Sequence, residues 1–357
     1  MRLDALLREA WRNLASGTTR GVWWAAVLAV VLGSATVFDA VTVSSIGRSA
    51  QMFQDRGGSV LIVESIGAID GAQCEALASL ERVRGAVALR QSAEPLRLAA
   101  LPSSPPALYE ATPGFARFFT THPSDEGAGI WLSGQLEQSV GELAGSSLID
   151  PSTKVQYAGY FDYPDDGRSM SLAYTAVIEV PATGLFDECW VDVWPQRDDL
   201  ASLATFAVRT PLDAPPEVRI RQLNTSMGES LDQELELANR VTRLLPLFST
   251  VIAGLVGVVA VRLRRLEIAS ALHVGVRIRD LAGQLMLECI SWAVPAGALA
   301  LAAAFLIARP LEGGDAVFVW LSAGFTVATG ATAVMVGIFG GLASIRSKRF
   351  FQFFLDR

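Results

Sequence analysis

Four long apolar stretches divide the chain, and polar segments of very different lengths separate them. Each stretch holds close to the roughly 20 apolar residues that a helix needs to cross a hydrocarbon core of about 30 Å. The pattern therefore predicts four transmembrane helices. Their expected bounds are 22–44, 244–263, 286–308 and 316–343.

The segment 1–21, before the first stretch, is amphipathic. Its apolar residues recur every three or four positions, as on one face of a helix, and arginines occupy the other face. The apolar positions are Leu3, Leu6, Leu7, Ala10, Trp11 and Leu14. We expect a helix that lies in the interface of the inner leaflet. A cleaved signal peptide is the alternative, but the length of the apolar stretch that follows favours a retained span.

The long polar segment 45–240 is large enough to fold as a domain of its own. Residues 59–65 (SVLIVES) are typical of a strand. Residues 70–82 are expected to form a helix capped by Asp70, and 86–90 a second strand. This β-α-β opening suits a ferredoxin-like lobe in an α+β domain.

The end of this domain is predicted to pass into a helical stalk. Two more strands are expected first, at 173–180 and 186–194, with Trp190 and Trp194 on one face in the core. From about residue 216, apolar residues recur at three- or four-residue steps up to the second span. They are Leu223, Met227, Leu231, Leu235, Ala238 and Val241. An unbroken helix from Pro216 to Leu263 would be roughly 70 Å long, with bends expected at Gly228 and Pro246.

Basic residues cluster in the short segments on one side of the predicted spans. The segment 264–280 and the tail 344–357 are both rich in arginine. Because short loops rich in Arg and Lys remain in the cytoplasm, both of these segments and the N-terminus are expected inside. The domain 45–240 is then extracytoplasmic. Phenylalanines in the tail, Phe350 to Phe354, suggest a helix at the membrane surface.

Composition and charge agree with this layout. The chain has 357 residues, of which 51% are hydrophobic, and a mean hydropathy of +0.37. Residues 45–240 hold 14 Lys or Arg against 27 Asp or Glu, whereas the remainder holds 15 against 9. An acidic outer domain argues against nucleic acid as its partner.

The sequence contains no recognisable catalytic motif. It has no Walker sequence, no glycine-rich phosphate loop and no nucleophile motif, so we expect no enzymatic activity and no bound cofactor. Its two histidines, His122 and His273, form no Cys/His pattern with metal-ligand spacing. An acidic group, Asp187, Glu188, Asp192, Asp198 and Asp199, is interpreted as a solvated surface rather than a calcium site.

Three cysteines are present, and two of them fall in the outer domain. Cys74 and Cys189 form either a disulfide, which persists outside the cytoplasm, or two isolated buried thiols. Cys289 lies in the third span beside Glu288, and we expect that carboxylate to have a structural role rather than to relay protons.

The segment after the second span contains a run of the form R-R-x-E-I-A-x-x-x-x-x-G. The residues at its fixed positions are Arg264, Arg265, Glu267, Ile268, Ala269 and Gly275. This run resembles the loop after the second span of MacB/FtsX-type ABC transporter permeases. Short pieces of the outer domain, at 111–115, 129–133, 136–146 and 155–159, resemble MacB-like elements in the same order. The tail departs from the family, since SIRSKRFFQFFLDR has no proline.

The resemblance implies a type VII, or mechanotransmission, permease in a bacterial cell membrane. Such permeases act in pairs, with a second copy or a similar permease, and with a dimer of separate ATP-binding subunits that hold ATP and Mg²⁺. The coupling helix would use Arg264, Arg265, Glu267, Ile268, Leu272 and Gly275 to meet the ATPase. Glu267 is expected to pair either with Arg264 or with the partner, and Ile268 and Leu272 to enter a groove.

Three functions follow as hypotheses. In the first, ATP hydrolysis by the partner moves the outer domain and exports or extracts a peptide, a drug or a lipoprotein-like substrate. In the second, an FtsX-like regulatory permease transports nothing and activates an extracellular cell-wall hydrolase. In the third, the chain is a membrane-anchored adhesion or sensor protein without an ATPase. The coupling-helix residues favour the first two, and an additional extracellular protein partner is compatible with either.

Overall fold

The protein is described from a computed structural model. The structure describes residues 8, 12–13, 16–17, 19–98, 101, 104–124, 129–140, 156–196, 199–210, 216–311 and 313–345, without the side chains of 200, 201, 313 and 314. The chain divides into two compact units. The first, the helical unit, comprises 1–48 and 234–357, and the second, the sheet unit, comprises 49–233. Most of the predicted interfacial helix at 1–21 and of the tail at 344–357 lies outside the described residues.

The sheet unit combines nine described strands with short helices, and the described elements of the helical unit are helices. The helices are α1 Gly21–Asp55, α2 Gly71–Ala76, α3 Gly134–Val140, α4 Leu200–Ala204, α5 Gln233–Asn239, α6 Leu245–Arg262, α7 Arg265–His273, α8 Ile278–Ala308 and α9 Gly313–Ala343. The strands are β1 Val60–Asp70, β2 Val83–Gln91, β3 Ala107–Ala111, β4 Thr121–Pro123, β5 Ile130–Ser133, β6 Tyr157–Phe161, β7 Thr175–Glu179, β8 Leu185–Val193 and β9 Arg219–Gln222.

Among the residues that the structure describes, four helices are long and apolar enough to cross a membrane, as the sequence predicts. They are Gly21–Asp55, Val241–Arg262, Ile278–Ala308 and Asp315–Ala343. Two of them are longer than predicted. The first continues past residue 44 to Asp55, because no proline and no pair of adjacent glycines interrupts it before Gly57 and Gly58. The third begins at Ile278 rather than at 286, because Leu281 and Leu285 already face the helical core.

Glycines bring α6 and α9 into backbone contact. A methyl group added at Gly257 would lie 2.3 Å from the carbonyl oxygen of Val334, and one added at Gly337 would lie 2.1 Å from that of Gly254. Small residues at such positions allow two membrane helices to approach closely and gain dispersion contacts. This packing fixes α6 against α9 along its length.

The strands described in the sheet unit form one mixed sheet of nine strands. Its strand order is β4-β6-β5-β7-β3-β2-β8-β1-β9. At one end, β8 lies antiparallel between β1 and β2, and β9 is antiparallel to β1. The short helices α2 and α4 pack on one face of these four strands, where Cys74, Leu77 and Ala204 join the buried cluster. Strands β3 to β7 extend the sheet beyond β2.

The predicted stalk helix from residue 216 is wrong. Arg219–Gln222 forms the edge strand β9, which pairs with Leu61–Glu64 of β1, and Leu223 is buried in the sheet unit. The only helix between there and residue 240 is α5, Gln233–Asn239. The alternation of Val218 and Ile220 with arginines is a strand pattern, and pairing with β1 satisfies its backbone groups.

The predicted helix 70–82 is shorter than expected. It consists of α2 and a 3₁₀ turn, Leu77–Ser79, after which β2 begins at Val83 instead of residue 86. The predicted cap is present, since a carboxylate oxygen of Asp70 accepts hydrogen bonds from the backbone of Ala72 and Gln73, at 3.0 and 3.1 Å. The strands predicted at 173–180 and 186–194 correspond to β7 and β8, with Trp190 buried in the core.

Candidate functional site

A short separate helix, α7, connects the second and third candidate spans. It ends at a left-handed glycine, Gly275, with φ of +94°. The N–H of Gly275 donates to the carbonyl of Leu272, and the N–H of Val276 donates to that of Ala271. This pair of bonds is a Schellman motif, which stops a helix at a defined residue. Gly275 therefore has an identifiable role in ending α7, since a non-glycine residue would be strained there.

One face of α7 packs on the helices of its own unit. Ile268 is 2% exposed and Ala269 is fully buried, within a cluster that contains Val261, Leu281 and Leu285. Leu272 packs against the same cluster and is partly buried. The expectation that Ile268 enters a groove on a partner is therefore wrong. A nine-residue helix cannot bury its apolar face alone, so it uses the helices beside it.

A network of ion pairs fixes the start of α7. The guanidinium of Arg264 donates two hydrogen bonds to the carboxylate of Glu267, at 2.9 and 2.6 Å, and a third to Glu288 of α8. Glu288 is buried and also accepts from the side-chain amides of Asn13, at 2.8 Å, and Gln284, at 3.3 Å. The side chain of Arg264 is 14% exposed, and that of Glu267 is 55% exposed. Glu267 thus pairs within its own chain.

The two carboxylates keep Arg264 charged despite its partial burial. Burial alone would lower the pKa of Arg264, but its hydrogen bonds to the carboxylate of Glu267 and the negative charge of Glu288 outweigh the effect of burial and raise the pKa. A charge in such a place is stable only while it is paired and hydrogen-bonded. The network therefore attaches α7 to α8 at a fixed point.

The opposite face of α7 is open. Its exposed side chains include Glu267, Ser270, His273 and, beyond the last turn, Val274 at 84%. Arg265 is half-buried. Protein–protein interfaces combine apolar side chains with a polar rim, and this face has one exposed apolar side chain among polar ones. The residues of the R-R-x-E-I-A-x-x-x-x-x-G run thus have different positions. Ile268 and Ala269 face the helices of their own unit, Gly275 ends α7, and Glu267 lies on the open face.

A second buried ion pair was missed from the sequence. Asp39 of α1 is 3% exposed and accepts hydrogen bonds from Arg240, at 2.9 Å, Thr242, at 2.6 Å, and Ser322. The guanidinium of Arg240 also lies 4.9 Å from the centre of the Phe318 ring. A lone carboxylate in an apolar span is a signal that sequence reading can use. Its partners lie some 200 residues away, and no local pattern reveals them.

The two cysteines of the sheet unit form a disulfide. The Cα atoms of Cys74 in α2 and Cys189 in β8 lie 5.9 Å apart, and the bond fixes the helix on the sheet. Cys289 is a buried free thiol in α8. Of the two alternatives for Cys74 and Cys189, the structure has the bonded one.

The acidic group at 187–199 is used structurally. Asp187 accepts hydrogen bonds from two backbone N–H groups, Glu188 pairs with Arg221 at 3.1 Å, and Asp192 pairs with Arg84 at 2.7 Å. Asp198 lies outside the described residues. Among the described residues, no group of three His, Cys, Asp or Glu side chains could hold a metal ion.

The sheet unit also has a polar cavity of 940 Å³ next to the end of α1. Its wall holds charges of both signs: Arg84, Arg117 and Arg168 together with Asp55, Asp162 and Asp192. Because arginines and carboxylates are mixed in the wall, the cavity points to no single ligand chemistry.

Known proteins show only a weak structural similarity to this chain. No family model matches the chain, and no curated protein matches it. Among solved structures, the periplasmic region of MacB from Actinobacillus actinomycetemcomitans is similar with a TM-score of 0.36 and 8% identity. That match covers 49% of this chain and 94% of the other. A likeness this weak does not assign the chain to a family.

Proposed function

We propose that the chain is the permease subunit of an ABC system and that α7 is its coupling helix, which binds a separate ATP-binding subunit. The observation that carries this proposal is the way α7 is held. A Schellman motif and the Arg264–Glu288 ion pair fix it to its own helices, and its other face is open. A rigidly attached helix moves the spans with it when a partner pushes it. The chemical energy would then come from hydrolysis of Mg²⁺-bound ATP on the partner.

Motion of α7 has two routes into the spans. It reaches α8 through the ion pair, and it reaches α6 because only Leu263 and Arg264 separate the two helices. Glycine packing couples α6 to α9. Just before α6, Arg240 and Thr242 hold Asp39 of α1. The helix α1 crosses the boundary between the two units, since it runs from Gly21 to Asp55 and the sheet unit begins at residue 49.

The proposal places the sheet unit outside a bacterial cell membrane and both termini inside. The disulfide supports this orientation, because such bonds persist in oxidising compartments. The acidic balance of 45–240 and the basic short segments support it too. The order β2-β8-β1-β9, with two helices on one face, supports a ferredoxin-like lobe within this unit.

A second permease copy is part of the proposal. Apolar side chains at four-residue steps along α6, Leu247, Val251, Leu255 and Val259, are between 44% and 60% exposed. Such a stripe contacts either lipid or another helix. Two permeases and two ATP-binding subunits would make a symmetric assembly that works on an extracytoplasmic substrate, of peptide, drug or lipoprotein-like class.

Two matched variants test the proposal. Val274→Asp places a charge on the open side of α7, and Ile66→Asp makes the same change at an equally exposed site, 83%, in the sheet unit. Losing an anchor residue of an interface costs about 2 kcal/mol or more, which is roughly thirtyfold in affinity. The complex is purified in mild detergent and its chains are identified by mass spectrometry. We expect Val274→Asp to lose an ATP-binding subunit that Ile66→Asp retains. Equal retention by both variants would contradict the proposal.

A further inference from the structure

A groove of 570 Å³ lies between α6 and α9, within the helical unit. Its walls are mostly apolar, and its most exposed apolar members are Leu247, Leu321 and Phe325, at 60%, 69% and 61%. Its volume lies within the range of about 300–1,000 Å³ that is typical of small-molecule sites. Because both helices are candidate membrane spans, whatever fills this groove is apolar over most of its length.

One end of the groove is positively charged. Arg240 and Arg243 line it, and the described lining contains no carboxylate. Arg240 is committed to Asp39. Arg243 is exposed, and the hydrogen bond described for its guanidinium is one to the carbonyl of Ala238, at 3.0 Å. Its remaining donors are therefore free to bind an anion at the mouth of the groove.

The length of the groove matches one leaflet. From Phe318 to Thr329, α9 advances about 16 Å, which is close to half of a hydrocarbon core of about 30 Å. At the far end, the hydroxyls of Thr250 and Thr329 are hydrogen-bonded to each other at 3.0 Å, so they present no unsatisfied group to an apolar occupant. A charged mouth followed by an apolar channel of leaflet length has the shape of a phospholipid.

We propose that this groove binds an anionic phospholipid, with its phosphate on Arg243 and an acyl chain along Leu321 and Phe325. A neutral acyl chain alone would not need the guanidinium, and a free phosphate would not need the apolar wall. The proposal goes beyond the coupling function, since lipid binding holds whether or not α7 meets an ATPase.

The test is native mass spectrometry of the full chain in detergent, titrated with palmitoyl-oleoyl phosphatidylglycerol. A cationic side chain near a phosphate layer contributes about fivefold in affinity. We therefore expect Arg243→Gln to weaken binding about fivefold. Arg309→Gln is the matched control, because Arg309 is also an exposed arginine at the end of a span and does not line the groove. It should leave the affinity unchanged.

A second variant tests the apolar wall without touching the core. Phe325→Ala removes an exposed ring, so folding is unaffected, and it should also weaken binding. Glycerol 3-phosphate should not bind measurably. Equal weakening by Arg243→Gln and Arg309→Gln would overturn the proposal, as would binding of glycerol 3-phosphate with the affinity of the lipid. A disulfide between two copies carrying Phe325→Cys, with no lipid adduct, would assign the groove to a second permease instead.

Discussion

Removing the carboxylate of Glu288 is the sharpest perturbation of the network that holds α7. In the Glu288→Leu variant, Arg264 stays largely buried and loses its partner in α8, while Asn13 and Gln284 lose their acceptor. Removing one partner of a buried ion pair typically costs about 3–5 kcal/mol, because the other charge remains buried. Since Glu267 still binds Arg264, we expect a loss near 3 kcal/mol in the free energy of unfolding.

A matched variant, Glu267→Leu, removes the other carboxylate that binds Arg264. Comparing the two variants shows whether the loss of stability depends on the burial of the ion pair or only on the loss of a negative charge. Glu267→Leu removes a carboxylate that is 55% exposed, and exposed pairs contribute at most about 1 kcal/mol. The assay is unfolding in detergent, followed by a dye that reacts with free thiols. The reaction with the dye measures the exposure of Cys289 alone, because the other two of the three cysteines are joined in the disulfide.

The double variant Arg264→Leu, Glu288→Leu completes the cycle. Replacing both members of a buried pair by apolar residues is often neutral or stabilising, so stability should return to within about 1 kcal/mol of the wild type. If α7 is the coupling helix, as proposed, ATP hydrolysis by the partner should be uncoupled in this double variant, because the ion pair that attaches α7 to α8 is still missing. If Glu288→Leu is as stable as the wild type, the network does not hold α7 and this reasoning is refuted.

Three further changes probe the rest of the fold. Gly337→Leu should separate α6 from α9 and prevent stable folding. Gly324→Leu should be tolerated, because a methyl group added there meets nothing within 4 Å. The yield of monodisperse protein distinguishes the two outcomes. Cys74→Ser should lower the free energy of unfolding of the sheet unit by about 2–5 kcal/mol, and free thiols at both positions in protein purified without reductant would contradict the bond. Burial alone would raise the pKa of Asp166, but the hydrogen bonds and charge of Arg168 lower it below the ordinary value. The Asp166 carboxylate therefore stabilises the fold fully above the pKa of the unfolded chain, about 4, and this contribution is lost as the pH falls through the folded pKa. Denaturation curves between pH 6 and about 2 should depend less on pH in the Asp166→Asn variant.

The parts of the fold that depend on composition could be predicted from sequence. A run of about 20 apolar residues has few alternatives to a membrane helix, so the four spans were found, and a missing helix breaker explains why α1 continues to Asp55. The cap at Asp70 was also predictable, because it depends only on residues two and three positions away.

The parts of the fold that depend on contacts between residues far apart in the chain could not be predicted from the sequence. Leu223, Met227 and Leu231 have helical spacing by coincidence, while the strand at 219–222 forms because β1 offers an unpaired edge. Likewise, the burial of Ile268 and the pairing of Glu288 with Arg264 require contacts between elements that only the fold brings together. The motif that drew attention to α7 does coincide with a separate short helix, but the motif alone did not show that Ile268 faces the helices of its own unit.

The most direct test of the central claim is photocrosslinking from the open face of α7. A photoreactive amino acid is placed at Ser270, which is exposed and lies one turn before Val274, and at Ile66 as the control. We predict that Ser270 forms an adduct with a chain that carries a G-x-x-x-x-G-K-[ST] sequence and that Ile66 does not. No adduct from Ser270, or the same adduct from both positions, would contradict the assignment of α7 as the coupling helix.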